Sequence, residues 1–531
     1  MAHPYITEQF TPEEAATLSR YFTNSDRPVF ALKNLPEIVK GALFARYSRT
    51  GKSLRRLFLD EFYKGEDSFS LDEIGSKKAT ELYDRIFIEF GDDSVAQLGG
   101  AHIAVEQGSN ILTKVLEWGR LAAYLEQSTR YVAYDDKPGG RYRYYVESEI
   151  ERSRFGQSYA AVMDKIFDLY SAAIPRAIAG YERRFPKSEA DTDRVYRSTI
   201  RAKALDTLRG MLPASTVSNT GIFASGQAFE QMLLRMRGAA LQEVRDVAEM
   251  MLRELNEVIP VFLQRVEQPN RGGAWTDYLR KTKSDIEDVA NSMLMGVEPK
   301  PSGTVTLVDW DPDAEVKLIT AMLYASSSLP ESQLMEEVRA MSAGDRLRVV
   351  KAYTGDRSNR RHRPGRALER IYYRFDVLAD YGAFRDLQRH RMLTIEWQDL
   401  TARHGYDAPP DLDELELRST FEEAMGLSHG LWEQVAAEFP KQAQYAVCMA
   451  YRVRFSMQMN AREAMHLIEL RSSPQGHRAY RQVAQEMHRQ IKDTAGHAAV
   501  AEMMKFVDHS EVDLERLEAE RRADRKRLRS P

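Results

Sequence analysis

Apolar positions recur every three to four residues along most of this chain, the period of helices that bury one face. The pattern predicts helices over 11–24, from Pro36 to about Tyr47, from Leu71 to Gly91 and from Ser94 to about Leu125. It continues over 150–184, 190–212 and 222–268, with breaks expected at Pro175, Pro186 and Pro213. Thr11, Pro12 and Glu14 supply a start signal, a capping hydroxyl with an acid three residues on. Helical spacing resumes at 314–325, 330–353, 366–404, 412–438 and 441–506. Alternation of period two is scarce, with Arg141–Val146 and Thr304–Trp310 as the strand candidates. The fold class this predicts is α+β and helix-rich.

Two breaks divide the chain near its middle: Glu267-Gln-Pro-Asn-Arg-Gly-Gly273 and Pro299-Lys-Pro-Ser-Gly303. The halves on either side echo each other. Phe229-Glu-Gln-Met-Leu-Leu-Arg-Met-Arg237 corresponds to Glu463-Ala-Met-His-Leu-Ile-Glu-Leu-Arg471, each an apolar helical face closed by an arginine. Ala45-Arg-Tyr-Ser48 corresponds to Leu323-Tyr-Ala-Ser326, and Trp118-Gly-Arg120 to Arg389-His-Arg391. The order is kept while identity is low, so we read two diverged copies of one domain. The expected division is 1–268, a linker over 269–303, a second domain over 304–510 and a charged tail over 511–531.

Composition narrows the setting. A chain of 531 residues gives each half enough length for its own core. A net charge of −4 supplies no global pull toward nucleic acid or anionic membrane. One cysteine, Cys448, cannot form an intrachain disulfide, and no run reaches the 18 or so apolar residues that mark a membrane span. A cytoplasmic protein with no membrane partner is expected.

Four clusters could carry chemistry. In Glu126-Gln-Ser-Thr-Arg-Tyr131, Ser128 and Arg130 can clamp a phosphate while Glu126 accepts from a base or ribose; a surface ion pair at a helix end is the plainer reading. Arg389-His390-Arg391 suits a pyrophosphate, or is solvated surface. Asn460, Arg462, His466 and Arg471 interrupt an apolar pattern, as ligand contacts or as snorkelling core-helix residues. The run Arg357-Ser-Asn-Arg-Arg-His-Arg-Pro-Gly-Arg366 is a phosphate-covering loop, a nucleic-acid contact or a solvated loop. Gly51-Lys52-Ser53 fails as a phosphate-binding loop because Arg46 stands where its first glycine belongs, and no spacing of the histidines marks a metal site. Cys448 reads as a core residue.

At Glu126–Tyr131 the chain resembles the flavin-dependent thymidylate synthases. Their signature is Arg-His-Arg, a short gap with Ser, then Asn-Glu-x-Ser-x-Arg-Tyr. The first half keeps its end and the second half keeps its beginning, Arg389-His-Arg391. A later motif reappears as Arg209 before Leu212-Pro213 and Arg237 in the first half, and as Asn460-Ala-Arg462 and Leu470-Arg471 in the second. The departures are complementary. The Arg-His-Arg position of the first half reads Trp118-Gly119-Arg120, and the Glu-x-Ser-x-Arg stretch of the second reads Trp397-Gln-Asp-Leu-Thr401. The family's flavin-contacting His appears as Leu98 and Arg370.

The resemblance implies two tandem synthase-like domains that methylate dUMP to dTMP with FAD, NAD(P)H and methylenetetrahydrofolate, without a protein nucleophile or metal. It implies that Glu126, Ser128, Arg130, Arg209 and Arg237 hold a dUMP-like nucleotide, and that Arg389, His390, Arg391, Asn460, Arg462 and Arg471 face the flavin. Family sites lie between subunits of a homotetramer, so a homodimer of this chain would imitate that assembly. A catalytically degenerate flavin- or nucleotide-binding homologue, and a nucleic-acid binder using 357–366, are the alternatives.

Overall fold

The computed structural model describes residues 8–28, 30–47, 52–63, 97–189, 191–514 and 516–529. The predicted helix from Leu71 to Gly91 lies outside them, as does Ser48 of the Ala45–Ser48 echo. The chain forms two compact units. One is 1–106, 121–126 and 219–296; the other is 107–120, 127–218 and 297–531.

The first unit begins with the helix Pro12–Tyr21, whose capping box forms as the sequence predicts: Glu14 N–H donates to Thr11 Oγ1 and Thr11 N–H to Glu14 Oε2. With the helix Glu37–Tyr47 it builds a small core of Leu18, Tyr21, Phe22, Leu35, Val39, Leu43 and Phe58. The unit's sheet consists of β1 (Gly100–Ser109), β2 (Ala122–Glu126) and β3 (Val217–Ser225), in the order β1-β3-β2. The helix predicted from Ser94 to Leu125 is therefore wrong over 97–125, and its first three residues lie outside the described ones. Two strands flank only a short helix, Asn110–Leu116. The 222–268 stretch is helical after Ser225, as the segments Gly226–Arg237, Gln242–Asn256 and Pro260–Glu267. The helix Ala274–Met293 follows. Gly226 allows close packing, because a Cβ there would stand 2.5 Å from the Phe262 side chain.

The second unit is organised on an antiparallel sheet of β4 (Val305–Trp310), β5 (Tyr372–Asp380), β6 (Leu393–Trp397) and β7 (Arg452–Asn460), in the order β4-β5-β7-β6. Its central pair runs in continuous register from Tyr372↔Asn460 to Asp380↔Arg452. Val453, Phe455, Met457 and Met459 are buried, alternating with Arg452, Arg454, Ser456 and Gln458, which is the period of a strand with one covered face. The helices predicted over 366–404 and at the start of 441–506 are thus corrected to strand–helix–strand and to strand–helix. Thr304–Trp310 is a strand as expected, whereas Arg141–Val146 supplies only an isolated bridge, Tyr144↔Thr216. Pro175 lies inside the unbroken helix Gly156–Arg184, which packs against Asp193–Leu208 and Arg418–Ala436. Helix Arg478–Asp493 covers β4 and β5, and its Gln490 bridges Leu307 N (2.6 Å) and Val305 O (2.8 Å).

The duplication is visible in topology. β1, a cap at Ser109, the helix Asn110–Leu116 and β2 are matched by β5, a cap at Asp380, the helix Tyr381–Leu387 and β6. β3, Ser225 and the helix Gly226–Arg237 are matched by β7, Asn460 and the helix Ala461–Arg471. All four caps accept from a first-turn N–H through their side-chain oxygen, the role short polar side chains fill best. The strand orders β1-β3-β2 and β5-β7-β6 coincide. The structure is helix-rich α+β, built from two tandem copies of one domain.

Candidate functional site

The second unit gathers three of the arginines picked from the sequence around carboxylates that the sequence did not single out. Arg209 follows directly on the helix Asp193–Leu208, and Arg471 ends the helix Ala461–Arg471. Asp386 belongs to the helix Tyr381–Leu387. Arg209 Nη1 donates to Asp386 Oδ2 at 3.5 Å and Arg471 Nη1 to Oδ1 at 3.4 Å. Burial raises the Asp386 pKa, but Arg471, Arg209, Arg389 and Arg130 outweigh it and hold the carboxyl well below its usual range.

Arg130 is buried and lies against Asp206. Its Nε donates to Oδ1 (2.6 Å) and Oδ2 (2.9 Å), its Nη2 also bonds Asp206, and its Nη1 reaches Gln475 O (3.2 Å) and Tyr480 Oη (3.4 Å). Ser128 Oγ accepts from the Arg130 N–H at 3.3 Å and so shapes the turn.

His390 is buried between Glu463 and Arg471. Arg471 Nε donates to its Nε2 at 3.1 Å, which assigns the ring proton to Nδ1, 2.8 Å from Glu463 Oε1. Burial is the main cause that lowers its pKa to about 4, so the ring is neutral at pH 7. His466 Nδ1 lies 3.3 Å from the other Glu463 oxygen. The potential ligand atoms of His390, Glu463 and His466 fall within 4.8 Å of one another. The Arg471 bond nevertheless keeps the proton on the His390 nitrogen that would face a cation. This cluster is a hydrogen-bonded network, with Arg471 as its positive charge.

A cavity of about 470 Å³ opens beside the arginines, lined among others by Lys203, Arg209, Asp380, Tyr406, Arg452 and Arg478. Its volume lies in the usual range for small-molecule sites. Arg209 is 4% exposed, yet its Nη2 has no hydrogen-bond partner among the described residues. Gly382 leaves room for it, since a Cβ there would stand 3.2 Å from that nitrogen and 2.9 Å from Asp380 Oδ1. Burial pushes Asp380 up to about 6, against the opposing pull of Arg209. His477, also lining the cavity, is driven well below its usual pKa by burial and then by Arg209 and Arg130.

The remaining sequence candidates lie elsewhere. Glu126 is buried at the end of β2, opposite Thr220 in the first unit. Arg237, in the same unit, bonds Glu249 (2.7 Å) and Val266 O (2.8 Å). Arg389 is half-exposed, its Nε 4.0 Å from Glu117, and Arg391 is exposed. Asn460 caps its helix by accepting from Glu463 N–H at 2.9 Å. Arg462 bonds Pro364 O (3.0 Å) and Glu369 (3.2 Å). In the basic run, Arg357 is buried and forks onto Glu469 at 2.7 and 2.6 Å, while Arg360, Arg361, Arg363 and Arg366 are exposed. Cys448 is buried, and burial raises its thiol to about 12.

Sequence reasoning missed Asp206, Asp386, Glu463, Tyr480 and Arg516. Asp206 stands three residues before Arg209 and Asp386 three before Arg389, but lone acids on helices carry no local signal. Arg516 comes from the charged tail. It stacks 4.2 Å over the Tyr131 ring, and its Nε is buried without a hydrogen-bond partner among the described residues. Burial, then the neighbouring Arg130 cation, lowers its pKa to about 10.

Comparison with known proteins agrees with the duplication. The family described as "Thymidylate synthase complementing protein", the flavin-dependent thymidylate synthase family, matches residues 45–261 and again 306–497. A "UPF0159 protein" of Chlamydia muridarum is 41% identical over 521 residues, covering 97% of this chain and 98% of that one. Counterparts in Chlamydia pneumoniae and Thermoplasma acidophilum are 39% and 32% identical, covering 97% and 91% of this chain and 98% of each relative. Among solved structures, the flavin-dependent thymidylate synthase ThyX of Helicobacter pylori, complexed with FAD and dUMP, is 18% identical with a TM-score of 0.27. The match covers 35% of this chain and 93% of that one. The UMP/dUMP methylase PolB of Streptomyces cacaoi, bound with 5-Br dUMP, is 18% identical with a TM-score of 0.29, over 38% and 96%. With the family matched once in each half, on strand–cap–helix units that repeat in the same order, the chain belongs to the flavin-dependent thymidylate synthase family as a tandem two-copy member.

Proposed function

We propose that this protein binds a dUMP-like nucleotide and FAD and carries out the reductive methylation of dUMP to dTMP, with NAD(P)H and methylenetetrahydrofolate as co-substrates. The observation that carries the reading is the Arg209 Nη2. A buried guanidinium nitrogen with no partner among the described residues, on a side chain that lines a cavity of about 470 Å³, is a place prepared for an anion. Arg209 takes the nucleotide phosphate there; Lys203 and Arg478 line the same cavity, together with the acids Asp206, Asp380, Asp407 and Asp411. Asp386 fixes Arg209 from the other side, so the donor is oriented before the ligand arrives.

The residues assigned to the flavin fit an anionic cofactor in part. Leu393 pairs with Met459, so the turn carrying Arg389 and Arg391 adjoins the start of the helix Ala461–Arg471. Cationic side chains beside a helix N-terminus suit a diphosphate. His390 fits as a positioning group, because both of its nitrogens are engaged by Glu463 and Arg471. When bound, the flavin supplies the electrons of the reduction. The chain's residues hold charge in place and keep water from buried groups. Ser128 and Arg130 stay as nucleotide-side residues in this proposal, and a homodimer as its assembly.

One observation favours a second reading, a nucleotide-binding homologue with degenerate or altered activity. The Arg130 fork is already occupied by Asp206, a carboxylate standing where a phosphate would bind. Absorbance spectra of the purified protein with added FAD, then dUMP, followed by an assay for dTMP, separate the two. Flavin retention, a dUMP-dependent spectral change and dTMP formation are expected; nucleotide binding without dTMP selects the second reading. Arg209→Ala should weaken dUMP binding at least tenfold, since a charge-assisted contact contributes about 1.5–3 kcal/mol. Unchanged affinity in calorimetry removes the assignment.

A further inference from the structure

The helix Ala274–Met293 lies between the two family-matched segments, which end at 261 and resume at 306. Trp275, Tyr278, Ile286, Val289 and Met293 on it are 48, 63, 62, 45 and 76% exposed. Thr282 continues the series. The steps are three, four, four, three and four residues, so at about 100° per residue all six fall within about 80° of the helix circumference. That is the seam of a straight amphipathic helix, and its mean step matches an unsupercoiled one. The covered side adjoins one edge of the stripe: Leu279, about 20° beyond that edge, packs on Gly238, and Thr276, about 80° beyond it, is buried. Large apolar side chains in one exposed stripe mark an interaction surface, whereas scattered ones need no explanation.

Charge names the partner. Arg280, Lys281 and Lys283 precede Ser284, and Asp285, Glu287 and Asp288 follow it. About Ser284 the helix is its own charge complement: Lys283 mirrors Asp285, Lys281 mirrors Glu287, and Arg280 mirrors Asp288. The apolar stripe keeps the same centre, with Trp275 mirroring Met293 and Thr282 mirroring Ile286. Lys281 and Asp288 flank the stripe on one side, and Lys283 and Glu287 on the other. In an antiparallel pair like-sided flanks meet, so each lysine faces an acid of the other copy; a parallel pair sets like charge against like. Two ion pairs within the helix, Asp277–Arg280 and Lys281–Asp285, are exposed and so cost little to exchange.

We propose that the helix Ala274–Met293 is a self-association surface that pairs antiparallel, about Ser284, with the same helix of a second copy of this chain. The pairing is the contact that joins the homodimer; it stands apart from the reading of the nucleotide site and holds whether or not dUMP binds. Sedimentation velocity on the full chain across a wide concentration range tests it. Wild type is expected to dimerise, and Tyr278→Glu with Ile286→Glu to be monomeric with an unchanged circular dichroism spectrum. A basic variant (Asp285→Lys, Glu287→Lys, Asp288→Lys) and an acidic variant (Arg280→Glu, Lys281→Glu, Lys283→Glu) should each be monomeric alone and should dimerise when mixed in equal amounts. A wild type that stays monomeric overturns the proposal. So does a dimer that survives the Tyr278 and Ile286 substitutions, or a pair of charge variants that fails to associate on mixing.

Discussion

Arg130 and Asp206 form a buried ion pair, with side chains 10% and 8% exposed. Removing one partner leaves the other charge buried and alone, which costs about 3–5 kcal/mol. Asp206→Ala should therefore lower stability by about 3 kcal/mol in urea unfolding, and added phosphate should restore part of the loss by taking the vacated place beside Arg130. His390 gives a pH signature. Its folded pKa of about 4 lies below its ordinary value of about 6.5. Between those values His390 binds more protons in the unfolded chain than in the folded one, so its contribution to stability falls as pH drops from about 6.5 toward 4, by up to about 1.4 kcal/mol per pH unit, while Asp380, raised to about 6, works in the opposite direction below pH 6. Asp386, held below the carboxylate range, adds its own loss only under more acidic conditions. His390→Asn should flatten the upper part of this profile. An unchanged slope between pH 6.5 and 4.5 would place the titration on another group.

At the scale of elements, the strand–cap–helix unit is what places the site. β5 delivers Asp380 to cap the helix Tyr381–Leu387, and that helix carries Asp386 between Arg209 and Arg471. β7 delivers Asn460 to cap the helix Ala461–Arg471, whose first turn holds Glu463 and whose end is Arg471. The two equivalent first helices of the copies also meet, with Tyr381 Oη donating to Asn110 O (3.1 Å) and Gln388 Nε2 to Lys114 O (2.8 Å). The two faces of β7 predict unequal costs. Met457→Ala opens a cavity in a closed core and should cost about 2–5 kcal/mol. Gln458→Ala, on the exposed face, should stay within about 0.5 kcal/mol. Equal losses in thermal unfolding would mean that the period-two burial is wrong. This strand was legible: Val-Arg-Phe-Ser-Met-Gln-Met alternates strictly. It was absorbed into a helix because the same apolar residues also fit spacings of three and four when read with their helical neighbours.

For the whole molecule, the sequence repeat and the compact units do not divide the chain in the same way. Residues 127–218 of the first copy fold with the second copy, joined by Ala214 N to Val447 O (2.8 Å) and Met449 N to Leu212 O (2.9 Å). The motif at Ser128 and Arg130 therefore shares a unit with Arg471 and His390. The C-terminal tail is tied into that unit by Arg521 on Asp191 at 2.7 and 2.9 Å, and by Arg184 on Asp513. It brings Arg516 over Tyr131. Asp191→Ala unties the helix Leu517–Arg529 and should make the tail the first site of proteolysis. Digestion at equal rates in wild type and variant would mean that the pair does not hold the tail.

The sequence by itself determined the duplication, the helix ends marked by Thr11 and by the prolines that open helices, and the strand at Val305–Trp310, and it drew out the arginines at 130, 209 and 471 as candidates. These follow from local patterns, in which the covalent order of residues already contains the period, the cap or the charge. Tertiary structure alone decided what each charge does. Asp206 and Asp386 read as ordinary helix acids until packing, dozens to hundreds of residues away along the chain, sets them against Arg130, Arg209 and Arg471. Arg237 matches Arg471 in the repeat but is spent on Glu249 and Val266, while Arg209 keeps one nitrogen without a partner. An ion pair is a property of distance in space, and long-range distance is the one quantity that a pattern along a single chain does not encode.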